Sequence, residues 1–220
     1  MAGTPANAKG FSALAIVMDL KDYFSFTAIA LTFIGFAPYI RGIHRGTVHA
    51  HVFSWVIWGI TTIIVFFAQL DADGGRGAWP IGVSGTITLY IALLAYQRRG
   101  DTKITRSDWL FFCAALSSLP IWYISADPVF AVIVLTTVDL LGFAPTLRKA
   151  YHQPYAESLT FFGLFALRNG LVVLALASYS LTTLLFPVAV GIACLFLIIL
   201  VLFRRRFLRL NAAPSNDLPN

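Results

Sequence analysis

The chain has 220 residues, of which 58% are hydrophobic and only 12% charged, about half the charged fraction of a soluble domain. That balance excludes an ordinary water-soluble core and leaves a polytopic helical bundle. The net charge of +6 falls in loops between apolar runs, so it is a topology signal and not a nucleic-acid footprint.

In chain order, Phe11–Met18 is apolar but too short to span a bilayer, and no small-residue cleavage site follows it. Residues 1–23 are therefore expected to form an interfacial pre-helix. A spanning helix needs about 20 apolar residues. Seven segments meet that need: 24–42, 52–70, 79–97, 108–124, 128–147, 158–178 and 181–203, the fourth interrupted by Pro120. The tail, 207–220, is polar and expected to be disordered. Cys113 and Cys194 lie inside apolar segments and are expected to be small packing residues.

Loop charge gives an orientation. Arg41, Arg45, Arg98, Arg99, Lys103, Arg106, Arg148, Lys149, Arg204, Arg205, Arg206 and Arg209 fall on one side, against Lys9, Lys21 and Arg76 on the other. The richly basic side is expected to be cytoplasmic, which puts the N-terminus outside, the C-terminus inside, and the protein in the bacterial inner (plasma) membrane.

The chain also repeats itself. Gly35-Phe36-Ala37-Pro38 recurs as Gly142-Phe143-Ala144-Pro145, an offset of 107. Without a gap, Arg41 falls on Arg148, Val65 on Val172, Ala68 on Ala175, Pro80 on Pro187 and Val83 on Val190. The offset maps segments 1–3 onto 5–7 and leaves segment 4 alone. A single extra crossing gives two units, 24–97 and 128–206, the same orientation, with 98–127 carrying the connecting loop and linker helix. The expected fold is an all-α integral membrane protein of seven transmembrane helices, arranged 3+1+3 as parallel repeats, N-out and C-in.

This architecture, with a helix-1 proline just before a basic loop in each unit, resembles the PQ-loop or SWEET-like transporter superfamily over residues 24–206. The usual Pro-Gln reads here Pro38-Tyr39 and Pro145-Thr146. The resemblance implies a secondary transporter moving a sugar, amino acid or vitamin-like metabolite by alternating access. The alternative it implies is a non-transporting receptor or accessory protein on the same scaffold. The expected partners are the small solute, with protons as candidate coupling ion, the lipid bilayer and, in an oligomer, a second copy of the chain.

The residues that carry chemistry follow from position. Asp139 and Arg168 lie near the middle of segments 5 and 6, where a lone charge costs at least ~2.5–3.5 kcal/mol. Their counterparts in the first unit are the neutral Thr32 and Thr61. Both positions change together, so the two charges are expected to pair and form the midplane site. Trp58 and its counterpart Phe165 are candidates to clamp a ring-shaped solute, with Thr62, Asn169 and Tyr90 as polar contacts. Gly35 with Pro38, and Gly142 with Pro145, are candidate gate hinges. His44, His49, His51 and His152 are expected to be solvated loop residues. With no nucleophile elbow, phosphate-binding loop or zinc-protease signature, no enzymatic activity, cofactor or metal is expected.

Overall fold

The computed structural model describes residues 6–48, 50–98, 106–156 and 158–211. His49, Arg99, Lys103 and the tail beyond 211 lie outside them. Eight α-helices follow one another: α1 (Ala6–His44), α2 (Val52–Asp71), α3 (Trp79–Gln97), α4 (Arg106–Ser125), α5 (Pro128–Gly142), α6 (Ala144–His152), α7 (Leu159–Ala175) and α8 (Leu181–Asn211). Among the described residues there is no strand. Each of the seven apolar segments is mainly helical, but the fifth breaks at Phe143 and the sixth ends its helix at Ala175. The segment expected over 11–18 is continuous with the first long helix and not a separate element, because no proline, glycine pair or cap interrupts the backbone there. At the other end α8 runs on to Asn211, past the expected start of the tail at 207.

Five stretches are long and apolar enough to cross a membrane: Leu20–His44, Val52–Asp71, Gly75–Gln97, Pro128–His152 and Leu181–Arg209. Two apolar helices, Phe112–Ser125 and Leu159–Ala175, are shorter. Large side chains such as Phe33, Leu93, Leu167, Ile199 and Phe203 face outward, as a lipid-facing surface requires.

Local chemistry sets the helix starts. His51 caps α2 by accepting from the Ser54 amide at 3.3 Å. Ser158 caps α7 by accepting from Phe161 at 3.2 Å. These two caps are 107 residues apart, so each marks the same helix start in its unit. Asp127 caps α5 through the Val129 amide, with Pro128 in the first turn. Ser180 and Thr183 exchange backbone-to-hydroxyl bonds at the start of α8. α1 ends in a Schellman motif: the Gly46 amide donates to Ile43 and the Thr47 amide to Gly42. Gly46 has φ +71°, which a Cβ disfavours. Gly46→Ala is therefore expected to lower stability by about 1 kcal/mol, read as a drop in the unfolding midpoint in detergent; an unchanged midpoint would contradict the motif's role.

Packing is not sequential. α3 packs on both α1 and α2, and α8 packs on both α5 and α7, whereas α1 with α2 and α5 with α7 share no substantial interface. Instead α1 lies against α7, and α2 against α5. The core follows the repeat: Val65 and Val172, and Ala68 and Ala175, are all fully buried. A residue retained at both copies of a tight position is one whose volume both copies constrain.

One end of the bundle is tied together by polar contacts. Arg76, in a 3-10 turn at Gly75–Ala78, forms an ion pair with Asp22 of α1. Ser25 donates to the Arg76 carbonyl at 2.7 Å, Lys21 to that of Leu176 at 2.7 Å, and the Ala177 amide to Gly74 at 3.0 Å. α1, the turn before α3, and the connection from α7 to α8 therefore meet there.

Candidate functional site

Arg168 is anchored in the interior by three hydrogen bonds of its guanidinium. It is 3% exposed. Its Nε donates to Thr32 Oγ1 of α1 at 3.2 Å, its Nη1 to Asn169 Oδ1 at 3.0 Å, and its Nη2 to the Pro80 carbonyl at the start of α3. Thr32 passes the chain on by donating to Ala28 at 2.8 Å, and Asn169 donates to Phe165 at 2.8 Å. One guanidinium from the second unit thus joins two helices of the first. The planar fork, with donors in fixed directions, suits that task.

Asp139 is also buried, at 9% exposure, but it is not Arg168's partner. Asp139 makes no hydrogen bond or ion pair among the described residues, whereas Asp22 pairs with Arg76. The expected direct pair fails because α5 and α7 share no substantial interface. α8 packs against both. The counterparts explain the arrangement better than the pairing did. Arg168 touches Thr32, the counterpart of Asp139. Under the same offset, the counterpart of Arg168 is Thr61 on α2, the helix that packs on α5. One turn before Asp139, Thr136 is 3% exposed and its hydroxyl has no hydrogen-bond partner among the described residues. Most other hydroxyls at this level are satisfied by their own helix: Thr61 and Thr62 donate to Trp58, Thr86 to Gly82 and Thr88 to Ser84.

Trp58 and Phe165 do not stack on one another. They are linked through Trp55 and Phe36, with ring centroids 5.7 Å apart for Trp58–Trp55, 6.3 Å for Trp55–Phe36 and 5.1 Å for Phe36–Phe165. Tyr39 and Phe161 extend the cluster. Sequence reasoning missed Phe36, Tyr39, Trp55 and Phe161; the signal available was their aromatic type at helical spacing beside the singled-out rings. Tyr90 is 47% exposed on the outer face of α3, away from the interior polar residues, because the intervening turns of α3 present Ile87, Thr88 and Ile91 inward.

The two glycines of the repeated motif are contact points. A Cβ on Gly35 would lie 2.6 Å from the Phe165 ring, and one on Gly142 would lie 2.5 Å from Trp58 Nε1. These contacts are images of each other under the offset of 107. In each, a glycine of one unit receives an aromatic ring of the other. The prolines behave differently. α1 runs unbroken through Pro38, whereas the second copy breaks at Phe143, between α5 and α6. His51 is a helix cap and not merely solvated; His44 accepts from Arg98 at 3.4 Å. No group of three metal-binding side chains occurs among the described residues.

These helices define an all-α, multi-pass membrane protein with a polar interior at the junction of its two similar halves. No family model, characterised protein or solved structure matches the chain, so any closer assignment rests on its own architecture and site.

Proposed function

We propose that the protein is a secondary transporter of a small polar solute, built 3+1+3 from parallel repeats like the PQ-loop and SWEET-like proteins. The observation that carries this reading is the buried Asp139, with no hydrogen-bond or ion-pair partner among the described residues, while Arg168 bridges the two halves. A carboxylate in that position is held cheaply only if it exchanges a proton or takes a ligand. Asp139 with Thr136 is then the coupling site, and Asn169 and Arg168 hold the polar end of the solute.

Several features support the architecture. The helix contacts, the two helix caps and the reciprocal glycine–ring contacts all obey one offset. α4 and α7 supply the two further crossings; at 17 residues, α7 is at the short end of the spanning range. The polar contacts around Arg76 fit an outer face closed in this state. The break at Phe143 and the prolines of both units fit a joint at the opposite end for alternating access.

The test has two stages. A thermal-shift screen of sugars, amino acids and vitamin-like metabolites identifies a solute, and uptake is then measured in proteoliposomes with and without a pH gradient. Asp139→Asn is expected to bind the solute but to lose at least about 10-fold in gradient-driven uptake. Binding with no uptake by the parent protein would favour the receptor reading. Parental uptake by Asp139→Asn would remove the carboxylate from the mechanism. A reporter fused after Asn220 checks orientation; it should be active in the cytoplasm.

A further inference from the structure

At the end of the bundle opposite Arg76, a cavity of about 300 Å³ opens between the end of α1 and the end of α3. Its described lining is Ile43, His44, Arg45, Gly46, Val48, Ala50, Ala95 and Arg98. The floor is apolar: Ile43, Ala50 and Ala95 are each about fully buried. The rim is cationic, and among the described residues no carboxylate lines it. Arg45 and Arg98 are exposed, and Arg45 has no partner among the described residues. The Arg98 guanidinium donates to His44 Nδ1. That fixes the imidazole tautomer with its remaining N–H on Nε2, a third donor at the rim. The Schellman motif matters here as well. It occupies the carbonyls of Ile43 and Gly42 at the α1 C-terminus, muting the negative end of the helix that would otherwise repel an anion.

Exposed aromatic rings gather at this end of the bundle. Tyr96, two residues before Arg98, is exposed, as are Trp109 at the start of α4 and Tyr151 and Tyr155 in the second half; such rings gather at headgroup depth. The feature also recurs. Ala95 and Arg98 fall, under the offset of 107, on Leu202 and Arg205, which line a second concavity with Arg206 and Arg209.

We propose that the cavity between α1 and α3 binds the phosphate of an anionic phospholipid, with Arg45, Arg98 and His44 on the headgroup and the apolar floor against the first carbons of its chains. Three donors on one cavity rim, with no carboxylate among the described lining, suit a phosphate group. The depth and the apolar floor select the lipid over a free anion.

The test uses the purified full-length protein in detergent micelles doped with spin-labelled phosphatidylglycerol or phosphatidylcholine, reading the motionally restricted fraction. Phosphatidylglycerol is expected to be preferred. Arg45→Gln/Arg98→Gln should weaken that preference by roughly 30-fold, at about 5-fold per arginine. Arg106→Gln/Arg148→Gln, which removes the same charge elsewhere at this end, should change it less than about 3-fold. All four arginines are exposed, so both double variants should keep the parental circular dichroism. The proposal is overturned if the two lipids bind alike, or if both double variants lose equally, which would mean diffuse attraction without a site. It is also overturned if inorganic phosphate at matched ionic strength displaces the labelled lipid fully, which would assign the cavity to a soluble anion.

Discussion

Arg168→Lys is expected to destabilise the protein by about 3 kcal/mol, despite conserving the charge. Three nitrogens of Arg168 reach three acceptors that belong to α1, to its own helix and to the entry of α3. A lysine carries one ammonium at a shorter reach and cannot meet acceptors in three directions. At least one of Thr32 Oγ1 and the Pro80 carbonyl then loses its partner in a dry interior, at about 1–3 kcal/mol each. Since these bonds join the two halves, the loss should appear as a single lowered unfolding transition in detergent. On the proposed function it should also remove solute uptake. A Lys variant as stable as the parent would show that the network is incidental to the fold. In a cycle of Arg168→Lys with Asp139→Asn the coupling should stay below the about 3–5 kcal/mol of a broken buried pair, because the two side chains form no ion pair; coupling of that size would restore the direct pair.

Gly77→Ala is expected to be at least as damaging to the fold, about 3 kcal/mol. A Cβ there would stand 2.6 Å from the Leu176 amide nitrogen, 2.7 Å from its Cα and 2.9 Å from the Ala175 carbonyl carbon. These are backbone atoms, which no rotamer change can move. Leu176 is fully buried, and its carbonyl is held by Lys21, so relief requires separating the turn before α3 from the end of α7. Gly163 and Gly170 are the control. Both lie inside α7, and a Cβ on either meets nothing within 4 Å. Gly163→Ala and Gly170→Ala should therefore be neutral, or stabilising by up to about 1 kcal/mol through helix propensity. If all three variants unfold at the parental midpoint, the close approach at Gly77 does not constrain the fold.

The candidate site was only partly legible beforehand. Asp139, Arg168 and Asn169 stood out because charge and amide inside an apolar run are costly and must turn inward, and all three are buried. Their partners did not stand out. The pairing of Asp139 with Arg168 rested on shared depth and on both positions changing together between the units, which fixes no interface, whereas α8 packs against both α5 and α7. Tyr90 was chosen by its type and depth, but the angular position of one side chain on α3, a helix with little amphipathic contrast, is set by its neighbours. Trp58 and Phe165 were related by the repeat, yet the intervening Trp55 and Phe36 come from hydropathically unremarkable positions.

The amino-acid sequence by itself determined the helical class, the place of each apolar segment, the internal repeat and the inward turn of the midplane charges. Those properties depend on local hydropathy, on cap and turn residues such as His51, Ser158 and Gly46, and on the cost of a polar group in hydrocarbon, all of which act within a turn or two of the residue concerned. Only the tertiary structure decided that α1 packs on α7 and α2 on α5, that Arg168 is held by Thr32 and Pro80, and that Gly35 and Gly142 each seat a ring from the other half. In a uniformly apolar chain, helix pairing is chosen by shape, through small residues that admit a ring or a backbone, and that fit exists only once both surfaces are present.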